Sequence, residues 1–245
     1  MFVLEFGINH LGKKKNLNNL IQIYLKSSFK MATIMLQTKK YYEKNPNHLL
    51  NLSDYRKIIN LCKKSGKKIG LSVCDLETYK PLSSLSFNFY KLLSISNNNK
   101  NLIDQIKKKN KHIYISTGFS NDKRINNSIK FFSSYKKKSL LHTPMTYIAK
   151  DLNFNRINHL KNKYNLDVGY SNHNNNKNTL YALSAYKPNI IFLYIKTSSS
   201  KKIKFPDNEH AFKIADLEMI KKNYNDCLNC HRINNKIVKK VEIFK

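Results

Sequence analysis

The chain of 245 residues is 41% hydrophobic and includes 15 tyrosines and 13 phenylalanines, so it can bury one sizeable core, which excludes a mini-protein and a mainly disordered chain. The longest apolar run, around Ile190–Ile195, is far too short to span a bilayer. The formal net charge of +30 comes from 45 basic and 15 acidic residues, and only four of the basic residues are arginines, which disfavours a dedicated phosphate-reading surface.

Eight short runs rich in β-branched or aromatic residues predict strands. They are Phe2–Ile8, Ala32–Gln37, Lys68–Val73, Phe87–Leu93, His112–Ser116, Ser139–His142, Asp167–Tyr170 and Asn189–Ile195. Between them, lysine-rich segments with helical spacing of apolar residues predict helices. They are Asn16–Ser28, Tyr55–Ser65, Asn101–Lys109, Ile125–Lys137, Asn155–Tyr164, Leu180–Tyr186 and Asp216–Asp226.

This alternation of strands and helices predicts parallel βαβ units. With right-handed crossovers, eight such units close into a (β/α)8 TIM barrel of the α/β class. A doubly wound open sheet is the alternative, and the lack of a glycine-rich phosphate loop after the first strand disfavours it. We expect one domain over residues 1–226, followed by a basic tail over residues 227–245.

Lysine and asparagine dominate the polar composition, and both have codons made only of A and T. Compositional drift therefore explains the positive charge without a nucleic-acid partner. A surface for nucleic acid or another acidic polymer remains the alternative, and it would show a steep dependence of binding on salt. We expect small-molecule substrates and no membrane partner.

The cysteines and the start of the chain bear on its compartment. The start lacks the basic and apolar regions of a secretory signal, so we expect a cytoplasmic protein whose cysteines are reduced. The segment Cys227–His231 has the spacing of a c-type haem attachment site. That chemistry requires export, so we interpret the match as accidental.

In a TIM barrel the active site lies at the carboxyl ends of the strands. In this sequence polar and ionisable residues replace aliphatic ones at those positions. The candidate site residues there are Glu5, Asn9, His10, Gln37, Thr38, Asp75, Lys91, Ser94, Ser116, Thr117, His142, Tyr147, Asn172, His173 and Lys196.

Several of these candidates also have structural interpretations. Glu5 and Lys91 lie inside predicted strands, where an unpaired charge is costly, so they could simply pair with each other. The three histidines His10, His142 and His173 favour a binding role because they fall on one predicted face. Ser116–Gly118 could be an ordinary turn and helix cap or a set of donors for an anion.

Taken in order, these strand-end segments resemble the N-acetylneuraminate (sialic acid) synthase family, with the likeness running from about residue 2 to residue 226. The matching segments are Leu4–His10, Leu36–Thr38, Lys91–Ser94, Ser116–Gly118, Val168–His173, Asp207 and His210–Phe212. The resemblance implies a barrel that condenses phosphoenolpyruvate with an acylamino-sugar aldehyde to give a nonulosonic (sialic-type) acid.

The resemblance also implies roles for matching residues. Lys91 and Ser94 would hold phosphoenolpyruvate, Glu5 would handle protons, and Tyr147 would line the sugar pocket. His173 would bind a divalent metal, Mn²⁺ or Mg²⁺, that polarises the aldehyde oxygen. His210 would join the substrate-binding set, and a homodimer would be common for such a protein.

Five positions depart from the pattern of this family. Met35 stands in place of a lysine, Ser96 and Phe192 in place of glutamates, and Met145 in place of an asparagine. Tyr194 stands in place of the second metal-binding histidine, and a phenol, with its pKa of about 10, is a poor metal ligand near neutrality.

Three functions therefore remain open. The first is a divergent synthase, which would release phosphate from phosphoenolpyruvate. The second is a non-catalytic sugar-binding or regulatory relative that keeps the barrel and is stabilised by ligand without turnover. The third is another barrel chemistry, such as a Schiff-base aldolase using Lys91 or Lys196, which borohydride would trap.

Overall fold

A computed structural model of the chain describes residues 1–197 and 205–231. Eight parallel strands follow one another around a sheet, and the sheet is closed because β1 pairs with β8 as well as with β2. These strands are β1 (Phe2–Glu5), β2 (Met31–Met35), β3 (Lys68–Val73), β4 (Phe89–Leu92), β5 (His112–Ser116), β6 (Lys138–His142), β7 (Val168–Ser171) and β8 (Ile191–Lys196). The predicted TIM barrel is confirmed, and closure excludes an open doubly wound sheet.

Helices follow the strands and cover the outside of the barrel. They are α1 (Lys14–Lys26), α2 (Lys39–Lys44), α3 (Leu52–Lys64), α4 (Leu76–Tyr79), α5 (Lys100–Lys107), α6 (Asp122–Phe131), α7 (Asn155–Tyr164), α8 (Lys177–Leu183) and α9 (Ile214–Cys230). A two-residue strand, β9 (Phe212–Lys213), extends the sheet beyond β8.

The core has two parts, as expected for strands that are buried on both faces. Outward-facing aliphatic residues pack against apolar stripes of the helices in one large cluster. Inward-facing residues from several strands, among them Val3, Phe89, Tyr114, Leu141 and Phe192, form a separate apolar layer. This layer fills one part of the barrel and leaves the strand ends free to carry polar side chains.

Some predicted boundaries differ from the structure. Strand β1 ends at Glu5 rather than Ile8 because Gly7 turns the chain, with a φ of +53°. Helix α9 covers Ile214–Cys230, whereas the predicted helix covers Asp216–Asp226, because Tyr224 and Leu228 still pack on the core. Residues 232–245 of the predicted basic tail lie outside the described residues.

Cys227 and Cys230, the two cysteines of the haem-like segment, lie within the last turns of α9. All four cysteines are free thiols, and Cys62 and Cys74 are buried. Within residues 1–197 and 205–231, none of the helices has the length and apolarity needed to cross a membrane.

Candidate active site

A cavity of about 320 Å³ opens at the carboxyl ends of the strands. Its lining comes from β2, β4, β5, β6, β7, β8 and the segment before β9. The polar lining residues are Gln37, Lys91, Ser94, Ser116, Thr143, His173, Asp207 and His210, and the apolar or aromatic ones are Met35, Leu93, Ile95, Phe119, Met145 and Tyr194. The cavity therefore brings Lys91 together with five other predicted site residues, which are Gln37, Ser94, Ser116, His173 and His210.

Below the cavity floor lies an interior polar network formed by Glu5, Thr33, Ser72, Lys91 and Ser171. Lys91 Nζ donates to both carboxylate oxygens of Glu5, at 2.7 and 2.6 Å, and to Ser171 Oγ at 2.9 Å. Ser72 Oγ donates to Glu5 Oε1 at 3.3 Å and lies 2.9 Å from Thr33 Oγ1. All three ammonium protons of Lys91 thus have acceptors.

The ion pair between Glu5 and Lys91 is fully enclosed, since each side chain is only 1% exposed. Burial lowers the pKa of Lys91, and the Glu5 carboxylate opposes that shift. The Lys91 Nζ also lies 4.8 Å from the centroid of the Phe192 ring, a cation–π contact. Glu5 and Lys91 therefore do pair within the barrel, and Lys91 still reaches the cavity.

A second group of side chains forms one wall of the cavity: His173, Tyr194, Asp207 and His210. The ring centroids of His173 and His210 lie 4.9 Å apart, and the Tyr194 ring meets His210 edge-on at 4.5 Å. Asp207 Oδ1 lies 3.7 Å from His210 Nε2. These contacts join the ends of β7 and β8 to the segment before β9.

The buried position of this wall controls its protonation. Burial lowers the pKa of His210 to about 4 and that of His173 well below its ordinary value. Burial, with the Glu5 carboxylate nearby, raises the pKa of Asp207 to about 7. Near neutral pH the two imidazoles are therefore uncharged, and Asp207 can both give and take a proton.

Gly7 allows Asp207 to occupy this position. A Cβ atom at Gly7 would lie 2.1 Å from Asp207 Oδ2 and 3.1 Å from the Tyr194 ring. The φ of +53° also favours glycine, which has no Cβ atom. Asn9 completes the support, since its Oδ1 accepts from Asp207 N at 3.2 Å and its Nδ2 donates to Ile195 O at 2.8 Å.

Several predicted site residues instead stabilise the ends of secondary structure. Thr38 Oγ1 accepts from Tyr41 N at the start of α2, and Asp75 Oδ1 accepts from Glu77 N at the start of α4. Asn172 Nδ2 donates to the Asn174 carbonyl at 2.6 Å. Their place at strand ends reflects helix capping and loop closure, and none of the three lines the cavity.

Other predicted residues lie beside the cavity. Thr117 and His142 line an adjacent cleft, where Thr117 Oγ1 donates to Leu141 O and His142 Nε2 lies 2.8 Å from Leu152 O. Lys196 Nζ donates to the carbonyl and side-chain oxygens of Asn208 outside the cavity. Tyr147 is 61% exposed, and its ring stacks on His210 at 6.1 Å.

His10 is buried at the base of this region, and it makes stability depend on pH. Its Nδ1 accepts from Gly12 N at 2.9 Å, while burial, with a smaller effect of His48, lowers its pKa from 6.5 to about 4. Because the folded pKa is below the unfolded one, the contribution of His10 is complete above pH 6.5 and is lost as the pH falls toward 4.

We therefore expect the wild type to lose about 2–3 kcal/mol more unfolding free energy than His10→Asn between pH 7 and about pH 4.5. Urea unfolding curves at the two pH values measure this difference. The asparagine retains an acceptor for Gly12 N, so the comparison isolates the titrating ring. Equal losses for the two proteins would contradict the assignment.

The profile of the NeuB family matches residues 16–231. The chain belongs to the NeuB family. It is 26% identical to the N,N'-diacetyllegionaminic acid synthase of Campylobacter jejuni subsp. jejuni, in an alignment that covers 90% of this chain and 74% of that protein. The family match and this relative support a sialic-acid-synthase-like role in sugar biosynthesis for this NeuB protein.

Solved structures show the same barrel as this NeuB protein. The N-acetylneuraminic acid (sialic acid) synthetase of Leptospira borgpetersenii aligns with a TM-score of 0.85 at 16% identity, covering 98% of this chain and 87% of that one. The spore coat polysaccharide biosynthesis protein spsE of Bacillus subtilis aligns with a TM-score of 0.80 at 15% identity, covering 93% and 67%. At these identities the likeness supports the fold.

NeuB proteins are generally metal-dependent, so the donors of this chain can be compared with that requirement. Residues 1–197 and 205–231 contain no group of three His, Cys, Asp or Glu side chains arranged to hold a metal ion. His173 and His210 are neutral and could each donate one nitrogen, but burial raises the pKa of Tyr194 well above its ordinary value. The described side chains therefore do not fit a closed metal site.

Proposed function

We propose that this NeuB protein condenses phosphoenolpyruvate with an acylamino-sugar aldehyde to give a nonulosonic (sialic-type) acid. One observation carries the proposal: Lys91, Ser94 and Ser116 share a cavity with the wall of His173, Asp207 and His210. The first three supply a cation and hydroxyls for an anionic substrate. The second three supply proton donors and acceptors for a carbonyl substrate.

Phosphoenolpyruvate is proposed to bind deep in the cavity on the β4 and β5 side, where Lys91, Ser94 and Ser116 are at most 9% exposed. The Ser94 loop is fixed there because Arg124 donates to the carbonyls of Ser94 and Ile95, at 3.2 and 3.1 Å, and to Asn97 Oδ1 at 3.0 Å. Lys91 approaches from below. An anionic ligand takes over one of its contacts with Glu5, so binding and the interior polar network are coupled.

In the proposed reaction, the methylene carbon of phosphoenolpyruvate forms a bond to the aldehyde carbon of the sugar. The aldehyde oxygen takes up a proton, which Asp207 can supply because its pKa is about 7. Water adds to the resulting cationic carbon and loses a proton. Inorganic phosphate then leaves and a 2-keto acid remains, so atoms and charges balance.

Phosphate release tests this proposal. The protein is incubated with phosphoenolpyruvate and a panel of N-acylated amino sugars, with and without Mn²⁺, and the keto-acid product is detected by mass. We expect release with at least one sugar, and a loss of about a hundredfold or more in Lys91→Met but not in the exposed control Lys80→Met. No release across the panel would contradict the proposal.

A non-catalytic sugar-binding relative is the second candidate. It is favoured by the bonding of Lys91, whose three protons are all accepted by Glu5 and Ser171. It is also favoured by Met35, which lines the cavity at a position where the family resemblance implies a lysine. This candidate predicts that amino sugars raise the melting temperature while no phosphate is released. The homodimer and the cytoplasmic location implied earlier stay predictions.

A further inference from the structure

Exposed apolar side chains gather at one side of the cavity mouth. Ile95, Phe119, Met145 and Tyr147 are 57%, 75%, 45% and 61% exposed, and they follow β4, β5 and β6. We call these four residues the apolar rim. Ile95, Phe119 and Met145 line the cavity itself, and Tyr147 stacks on His210 of the neighbouring wall.

Phe119 has the most unusual backbone of the rim. Its φ of +52° is in the left-handed region, which a bulky side chain rarely adopts. Contacts of the loop maintain this turn, since Ser120 N donates to Thr117 O, Ser120 Oγ donates to Gly118 O, and Asn97 Nδ2 donates to Ser120 Oγ. The loop thus holds a phenyl ring at the cavity mouth although the ring buries little surface there.

The cavity consequently has two walls of opposite polarity. His173, Asp207 and His210 form the polar wall, and Met145 belongs to the apolar rim. Met35, which packs in an apolar cluster with Tyr194, is a second methionine in the cavity lining. The two methionines occupy positions where the family resemblance predicts an asparagine and a lysine. Their thioether chains are flexible and suit apolar groups of variable shape.

We propose that the apolar rim binds the acyl substituent of the amino sugar and selects sugars that carry larger or additional acyl groups. The inference rests on the proposed function for the identity of the ligand as an acylamino sugar. The polar wall faces the aldehyde end, and the acyl methyl or methylene groups lie against Phe119 and Met145. Phe119 is then a specificity-determining residue.

A series of acyl chains tests the inference by binding alone. The dissociation constants of N-acetyl-, N-propanoyl- and N-butanoylmannosamine are measured by calorimetry with the wild-type protein. We expect binding to tighten about two- to fourfold with each added methylene. The gradient should disappear in Phe119→Ser and weaken in Met145→Asn, and it should persist in Leu49→Ser, whose side chain is 51% exposed away from this cavity.

Several outcomes would overturn the inference. A wild-type protein without a gradient, or an equal gradient in Phe119→Ser, removes the rim from sugar recognition. A change of oligomeric state in Phe119→Ser with the gradient intact assigns the rim to a protein contact. Melting curves show whether each variant is folded, and Phe119→Gly, which fits the positive φ, serves as the second variant.

The test separates the inference from the proposed function. A gradient without phosphate release supports the rim as an acyl site and contradicts the synthase activity. Phosphate release without a gradient supports the synthase activity and contradicts the rim. The absence of binding by all three sugars contradicts the inference as stated.

Discussion

Replacing Lys91 with methionine is expected to lower the free energy of unfolding by about 3–5 kcal/mol. The variant leaves the Glu5 carboxylate inside the barrel, where both partners are only 1% exposed. The Ser72 hydroxyl, at 3.3 Å, and the Thr33 hydroxyl behind it are too weak to replace an ammonium ion. Urea unfolding near neutral pH measures the loss.

The double variant Glu5→Gln/Lys91→Met should recover a large part of that stability, because it removes both charges from the interior. Lys80→Met is the matched control, since its ion pair with Glu77 is about 60% exposed on both sides. The control should cost no more than about 1 kcal/mol. If Lys91→Met were no more destabilising than Lys80→Met, the buried pair would not have the role assigned to it.

Replacing Gly7 with alanine is expected to destabilise the protein by about 2–4 kcal/mol. The added methyl group would lie 2.1 Å from Asp207 Oδ2, so the carboxylate or the β1 turn has to move. The displaced carboxylate leaves the wall of His173 and His210. Phosphate release should therefore fall together with stability.

Gly66→Ala separates the contact from the backbone conformation. Gly66 has a φ of +64°, similar to that of Gly7, but an added Cβ would meet nothing within 4 Å. Its substitution should cost only the conformational part, about 1 kcal/mol. Equal effects of the two substitutions, measured by urea unfolding, would show that the approach of Asp207 to Gly7 is unimportant.

The fold could be predicted from the sequence because buried parallel strands and amphipathic helices have different periods. Strands β3 and β5 have the predicted bounds. The apolar spacing does not predict helix α2, because Lys39–Lys44 has only Tyr42 buried and therefore no apolar stripe. Its start depends on one capping contact from Thr38, which a periodicity argument does not detect.

The site could be predicted in part. Lys91, Ser94, Ser116 and His173 lie directly at strand ends, so the barrel geometry brings them together. Asp207 was in a matching segment but not among the predicted site residues, since it follows β8 by a long connection and its position depends on Gly7 and Asn9.

The sequence alone predicts only the pairing of Glu5 with Lys91 in the interior polar network. The signal for its other members lies in the strand register. Thr33 is paired with Glu5 between β1 and β2, and Ser72 is paired with Lys91 between β3 and β4. Small hydroxyl residues opposite two charged ones indicate a shared interior position. That pattern becomes visible only once the pairing of neighbouring strands is known.

Closure of the sheet between β1 and β8 has a consequence for how the protein opens. Each of these strands is hydrogen-bonded to a neighbour that is close in sequence and to one at the far end of the described chain. Neither can separate locally without also breaking the long-range seam. Their amide hydrogens should accordingly exchange with solvent at one common rate, set by opening of the whole ring.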